Sequence, residues 1–408
     1  MSAPRIIFVN RVYWPSQAAT AQLLADLAEA LVTRGWSVHI IAAGADPTTR
    51  HGVVVHRTGP GDTHGSLLSR ARNYGRFLVG ARRVLQALLQ NGDIVVPMTD
   101  PPLLGAAIAG LTRARGARIV HWIQDIYPEI VSAHAGRWAA LPLWPLRWLR
   151  DRSWRAADRC VPVSADMATT VARQGVSPAS ISTVHNWAPR ELLTPADPAS
   201  VAQVRQRWGF GDKFVVAYSG NLGRVHDFAT VLGAATLLAG ERDIVFLFIG
   251  QGAQMPAVVS AARQLSNVHF LPPTPREHLA AALAAADAHL VTLKPGFENL
   301  VSPSKLAGIL AAGRPALYVG PLNTEIARML ADGPCGCSIA PGHAADLAAA
   351  IRRLRDEPST RVAISLQARR VYEEHFTLAG AVDSWVEGFR TLDRARRLET
   401  SVATSHGR

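Results

Sequence analysis

Val301-Ser302-Pro303-Ser304-Lys305-Leu306, followed by Ala311-Ala312-Gly313-Arg314-Pro315, reads as a helix start, a short helix and the entry to a β-strand. Ser302 or Ser304 can cap the helix, Pro303 suits its first turn, and the free N–H groups and dipole then face an anion with Lys305 beside them. A diphosphate is the expected anion.

Outward from that stretch, short β-rich runs alternate with Ala/Leu-rich helical stretches, the pattern of βαβ units and a parallel sheet. The runs in the first half are 5–10, 37–44, 53–58, 93–99, 118–124, 159–164 and 182–186. In the second half they are 213–219, 244–250, 268–271, 288–293, 315–320 and 336–340. Each half reads as a doubly wound α/β sheet. The first crossover helix, Ala19 to Arg34, lines Leu23, Leu24, Leu27, Ala28 and Leu31 along one face and stops at Gly35. With 408 residues the chain exceeds the ~250–300 at which one core stops growing, so two domains are expected. They are 1–186 and 208–375, joined by a linker at 187–207 where Pro189, Pro195 and Pro198 break a polar stretch. A helix over 376–398 and a disordered tail at 399–408 complete the reading.

At 48% hydrophobic and 18% charged residues, the composition is that of a soluble globular protein. No apolar run reaches the ~18–20 residues of a membrane span, and the N-terminus lacks the pattern of a signal peptide, so a cytoplasmic location is expected. Cys160, Cys335 and Cys337 form neither a zinc set nor a disulfide framework and read as reduced packing residues. A formal charge of +12 calls for an acidic partner: nucleic acid, membrane lipid or a phosphorylated substrate. Of these, nucleic acid has no finger, aromatic ribonucleoprotein strand or basic zipper to support it.

Arginines are dense at 70–83 and 137–159. The second stretch interleaves Trp138, Trp144, Trp148 and Trp154 with Arg147, Arg150, Arg152 and Arg155. Tryptophan beside arginine suits the headgroup layer of a membrane, and contact with the inner membrane surface is the expectation; an ordinary amphipathic helix is the alternative.

In an open parallel sheet, ligands bind beyond the carboxyl ends of the strands. After the first strand come Asn10, Tyr13, Trp14 and Pro15, then Ala18, Ala19 and Thr20, small residues that let a ligand approach a helix start. Asp125, Tyr127, Pro128 and Glu129 follow 118–124; Ser219-Gly220-Asn221-Leu222-Gly223-Arg224 and Gly250-Gln251-Gly252 follow two strands of the second half.

The order of these motifs resembles glycosyltransferase family 4, in particular its bacterial members that build surface polysaccharides and lipid-linked glycans. The resemblance spans nearly the whole chain. It rests on Tyr13-Trp14-Pro15 with Ala19-Thr20, on Gln124-Asp125-Ile126-Tyr127-Pro128, on Asn186-Trp187, on Tyr218-Ser219-Gly220-Asn221-Leu222-Gly223, and on Pro303-Ser304-Lys305 with Ala312-Gly313-Arg314-Pro315. It implies a GT-B fold of two facing Rossmann-like domains, with the C-terminal helix returning to the first. It also implies transfer of a sugar from a nucleotide-sugar with retention of configuration.

Carried over by position, the second domain holds the donor. Gly220, Asn221, Gly250 and Gly252 approach its diphosphate or sugar, and Arg224, Ser304 and Lys305 meet the phosphates. Such groups can replace a metal at the leaving diphosphate; no Asp-x-Asp pair stands in a suitable loop, so no metal and no cofactor is expected. The donor is expected to be UDP-linked and to carry an N-acetylhexosamine or related hexose; the acceptor, a glycan or polyprenyl lipid, belongs to the first domain with Tyr13, Ala19 and Thr20.

Two departures stand out. The family's Glu, seven residues, Glu pattern would put its second Glu at Gly308 and its first at Leu300; Glu298, two residues earlier, is the candidate for donor-sugar hydroxyls, or a solvated loop charge. The family's His-Asp pair is Gln124-Asp125, where an amide can hydrogen-bond a sugar hydroxyl but cannot act as a base. Asp125 is then the group that binds or activates the acceptor hydroxyl, unless it caps a helix. His226 stands where the family often has a phosphate-binding Lys, and as imidazolium could serve that purpose; His121 and His185 read as structural. A nucleotide-sugar 2-epimerase and a catalytically idle subunit are the alternatives, although the site is poor in the carboxylates and histidines an epimerase gathers on its sugar.

Overall fold

The first strand, Ile6–Val9, shows why helices cover both faces of its sheet. Ile7 and Val9 pack with Phe77, Ala81 and Leu85 of the helix Leu67–Leu88, whereas Phe8 meets Trp122 and Trp385 edge-on at 6.2 and 6.4 Å. Alternate residues of one short strand thus anchor two cores. The computed structural model describes residues 4–16, 18–45, 49–59, 67–136 and 141–405.

The chain divides into two compact units, the first built from Met1–His185, Asn299–Ser302 and Leu378–Arg408 and the second from Asn186–Glu298 and Pro303–Thr377. Among the described residues, the sheet of the first unit has seven strands: β1 (Ile6–Val9), β2 (Val38–Ala42), β3 (Thr49–Arg50), β4 (Val53–Arg57), β5 (Ile94–Pro97), β6 (Arg118–Ile123) and β7 (Arg159–Pro162). Their order is β3-β4-β2-β1-β5-β6-β7, parallel except for the antiparallel pair β3–β4. The second unit has β8 (Phe214–Ser219), β9 (Ile244–Ile249), β10 (Val268–Leu271), β11 (Ala288–Thr292), β12 (Ala316–Val319) and β13 (Gly336–Ile339). They lie in the order β10-β9-β8-β11-β12-β13, all parallel. The same alternation holds there, with Phe214, Val216 and Tyr218 in one core and Val215 and Ala217 in the other.

Departures from the sequence reading have local causes. The run 182–186 is not a ladder strand, although the Ser182 and Val184 N–H groups donate to Cys160 and Pro162 carbonyls along the edge of β7. Residues 187–207, read as a linker, belong to the second unit. Their helix Pro198–Trp208 is capped by the Asp197 carboxylate, which accepts from the Ala199 and Ser200 N–H groups at 3.3 and 2.9 Å, and Val204 packs on Ala281, Ala282 and Ala285. The final helix runs Leu378–Ser405, well into the stretch read as a disordered tail; 406–408 lie outside the described residues. It belongs to the first unit, where Trp385 meets Trp122 at 5.3 Å.

No described helix is long and apolar enough to cross a membrane. The three cysteines are free, and burial pushes the Cys160 thiol up to about 12.

Candidate functional site

Strands β8 and β9 are neighbours, so the loops that leave their carboxyl ends lie side by side. Their backbones interlock: the Gly220 N–H donates to the Ile249 carbonyl at 2.8 Å, Leu222 to Gln251 at 2.8 Å, and Gln254 to Leu222 at 3.0 Å. A Cβ at Gly250, where φ is +146°, would stand 2.1 Å from the Gly220 carbonyl oxygen, and one at Gly220, at φ +125°, would stand 2.8 Å from Lys305 Cε. Only glycine fits at either position. Gly252 lies against Asn221 and Leu222.

Lys305 reaches into this cradle from the start of the helix Lys305–Ala311. Its ammonium sits 4.8 Å from the centre of the Tyr218 ring and donates to the Asn221 carbonyl at 3.5 Å and to His226 Nε2 at 3.4 Å. Burial brings Lys305 down to about 8. The Tyr218 hydroxyl donates to the same Asn221 carbonyl at 2.8 Å. Arg224 is exposed on the same loop, and its carbonyl accepts from Lys294 Nζ at 3.0 Å. Lys294 is a second cation at the cradle that sequence reasoning missed; its position just beyond β11 was the available signal.

Two expectations about this region are corrected. Ser304 occupies the N-cap of the Lys305 helix, but its side chain makes no capping bond. His226 is buried, and burial, reinforced by Lys305, takes its pKa down to about 3 although the Thr292 carbonyl, 2.6 Å from Nδ1, pulls the other way, so the ring is neutral and not an imidazolium. Leu300, the ungapped position of the first family Glu, is buried and belongs to the first unit. Gly308 is buried, and a Cβ there would meet Leu192 and Leu283 at 3.5 Å, so the surroundings of position 308 are apolar. Glu298 Oε2 is buried without a hydrogen-bond partner, and such an atom calls for a polar group to complete it.

In the first unit, Asn10 and Arg11 leave β1, Asp100 follows β5 and Gln124-Asp125 leave β6, three adjacent strands of the sheet. Arg11 grips Asp100 through two bonds of 3.0 and 2.7 Å, its guanidinium 5.5 Å from the Tyr74 ring. Asp125 opens onto a cleft that Leu103, His121, Tyr127, Arg150 and Ser153 also line. Burial, and then the Asp100 charge, push the Asp125 carboxyl up to about 6. Its backbone is bridged to Val301, and the Leu300 carbonyl accepts from the Ile126 N–H at 2.9 Å. Arg150, buried, clamps the next turn by donating to the Tyr127 carbonyl at 2.7 Å and to the Glu129 carboxylate at 2.9 Å.

Gln124 is buried beside Asp125. Tyr13 is buried with its hydroxyl unpartnered, while Ala19 and Thr20 open the helix Ala19–Thr33 as anticipated. His121 is structural, its Nε2 3.0 Å from Ser153 Oγ and its pKa lowered to about 4 by burial.

The Trp/Arg segment is split. On the helix Trp144–Arg155, Arg150 and Trp154 are core, whereas Leu141 just before it and Trp144, Leu146, Trp148 and Leu149 on it are exposed, Trp144 at 64%. Residues 137–140, with Arg137 and Trp138, lie outside the described residues.

Two Rossmann-like units, one with a glycine-walled, lysine-bearing cradle at its strand ends, are the architecture of the GT-B class. The chain belongs to glycosyltransferase family 4. The family profile described as Glycosyltransferase Family 4 matches residues 20–191, and the profile described as Glycosyl transferases group 1 matches residues 213–357. A probable glycosyltransferase of Pseudomonas aeruginosa, WbjE, is 30% identical over 73% of this chain and 74% of its own. The putative colanic acid biosynthesis glycosyl transferase WcaI of Escherichia coli strain K12 is 28% identical over 65% of this chain and 66% of its own. Among solved structures, Anabaena Alr3699/HepE in complex with UDP superimposes with a TM-score of 0.73 at 15% identity, covering 95% of this chain and all of that one. The protein is thus a glycosyltransferase that uses a nucleotide-sugar donor.

Proposed function

We propose that this enzyme transfers an N-acetylhexosamine or related hexose, with retention, from a UDP-linked donor to a glycan or polyprenyl-linked acceptor in surface-polysaccharide synthesis, without a metal. The observation that carries the reading is the Lys305 ammonium held over the interlocked glycine loops. A departing nucleoside diphosphate needs positive charge and fixed donors where its negative charge grows, and Lys305, with Lys294 and Arg224 nearby, supplies that charge from the protein itself. The name of WcaI supports a biosynthetic role of this kind, and that of the HepE–UDP complex supports the base.

Gly220, Asn221, Gly250, Gly252 and Ser304 surround the diphosphate in this reading, and the unpartnered Glu298 oxygen takes a donor-sugar hydroxyl. Asp125 and Gln124 hold the acceptor hydroxyl, with Tyr13, Ala19 and Thr20 beyond the end of β1, two strands away in the sheet. The donor β-phosphate takes the acceptor proton, so no strong protein base is required.

The exposed Trp144 and Trp148, with Arg147 and Arg152 on the same helix, bring the enzyme to the inner face of the membrane as a peripheral, cytoplasmic protein.

The test is transfer from radiolabelled UDP-N-acetylhexosamine to a polyprenyl-linked glycan in EDTA, with the anomeric configuration read by NMR. A product that keeps the donor's configuration in EDTA is expected. Loss of transfer in EDTA would end the metal-free reading, and a C2-epimerised donor formed without acceptor would make the protein an epimerase.

A further inference from the structure

His226 sits in the donor cradle, yet without ligand its ring is neutral. Its hydrogen bonds fix what it does instead. The Thr292 carbonyl, 2.6 Å from Nδ1, can only accept, so Nδ1 carries the proton. The neutral ring is then left with a bare Nε2, which can only accept, and the group facing it at 3.4 Å is the Lys305 ammonium. The surroundings hold the ring in this state. Tyr218 packs against it edge-on at 5.8 Å, Phe228 lies at 6.1 Å, and Lys305 and Lys294 both disfavour a second proton. Asp227, the adjacent carboxylate in the chain, is turned to the next helix, where it accepts from the Ala229 N–H at 2.9 Å and the Thr230 hydroxyl at 2.8 Å.

We infer that His226 is a positioning residue whose Nε2 accepts from the Lys305 ammonium and holds that charge over Tyr218 and the 219–224 loop, ready for the donor diphosphate. The inference rests on the donor reading above. Lys305 arrives on a separate strand-to-helix connection, and its long side chain has three rotatable donors with many alternatives in water. Three fixed groups restrain it: the Tyr218 face, the Asn221 carbonyl and His226 Nε2. Of these, His226 is the one that a side-chain substitution can remove while keeping either of its two bonds.

Three variants separate its bonds. His226→Asn keeps an N–H for Thr292 and loses the acceptor for Lys305; His226→Gln keeps an acceptor near the place of Nε2; His226→Phe fills the ring volume and keeps neither. The first readout needs no substrate: trace acylation of the Lys305 amine in the ligand-free protein, followed by mass spectrometry from pH 6 to 10. The native amine should titrate near 8, given the burial of Lys305. An acceptor favours the charged amine, so His226→Asn and His226→Phe should lower that titration by about one pH unit, and His226→Gln should restore it. The second readout is calorimetric binding of UDP at pH 7.5. About a tenfold loss of affinity is expected for Asn and Phe, and less than threefold for Gln.

An unchanged Lys305 titration in both Asn and Phe, with thermal stability alone reduced, would overturn the inference and leave His226 a structural residue. Loss of UDP affinity in Gln as large as in Phe, with the fold intact, would also overturn it. If the native protein binds none of UDP, GDP, ADP and dTDP, the donor reading itself fails, while the acylation profile still reports on the bond between His226 and Lys305.

Discussion

Asp125 holds its carboxyl at the end of β6, where burial and the Asp100 charge on the neighbouring strand end keep it protonated up to about pH 6. If the carboxylate binds or activates the acceptor hydroxyl, transfer falls as pH drops through 6, and that limb should vanish in Asp125→Asn together with about 10²-fold in kcat. Stability runs the other way. A carboxyl whose folded pKa is raised favours the fold below its unfolded value and loses that contribution as pH rises through the folded one. Above pH 6 the charge opposes folding, so Asp125→Asn should melt at least as high as the native protein at pH 8. A variant that is both less stable at pH 8 and fully active would remove Asp125 from the site. Asp125, Gly220 and Asn221 were legible in the sequence because strand ends announce themselves. The Arg11–Asp100 pair was not, since it forms only when strands distant in the chain become neighbours, and Lys294 showed its position beyond a strand but not its contact with the 219–224 loop. The neutrality of His226 was equally hidden, because burial and the neighbouring Lys305 charge decide it against the opposing pull of the Thr292 carbonyl.

The helix Lys305–Ala311 carries Lys305 at one end and, inside it, Gly308, where a Cβ would meet only Leu192 and Leu283 at ordinary contact distance. Glycine costs a helix interior ~0.5–1 kcal/mol relative to alanine, so Gly308→Ala should stabilise the protein by about that much in urea titrations and leave UDP affinity unchanged. Loss of UDP binding would show that position 308 serves the ligand after all. In the first unit, Trp385 of the final helix is buried against Phe8 and Trp122, and Trp385→Ala should cost ~3–5 kcal/mol in the same measurement. A loss below ~1 kcal/mol would mean that the helix is not part of that core.

Elements of this kind were well marked in the sequence. Strands buried on both faces, such as β9 and β12, read as continuous apolar runs, and every β run read in the second half became a strand. What escaped was structure set by context: the two-residue β3, which exists only through β4, and the helix Pro198–Trp208, whose proline start and Asp197 cap sit in a stretch that also reads as a broken linker.

The whole chain has two Rossmann-like units with separate cores, and the arrangement of each follows from strands that end in loops on one edge of its sheet. Assignment to glycosyltransferase family 4 accounts for both units and for the order of their motifs. The claim that joins them to chemistry is that the second unit binds a nucleoside diphosphate through Lys305 and the glycine loops without a metal. It is tested most directly by thermal shift with UDP, GDP, ADP and dTDP, each with and without EDTA, on the native protein and on Lys305→Ala. Ligand at ~100 times its dissociation constant stabilises by about 2.7 kcal/mol, a clear rise in Tm. The account predicts a shift with UDP that EDTA leaves unchanged and that Lys305→Ala removes; no shift with any nucleotide, or one that EDTA abolishes, would contradict it.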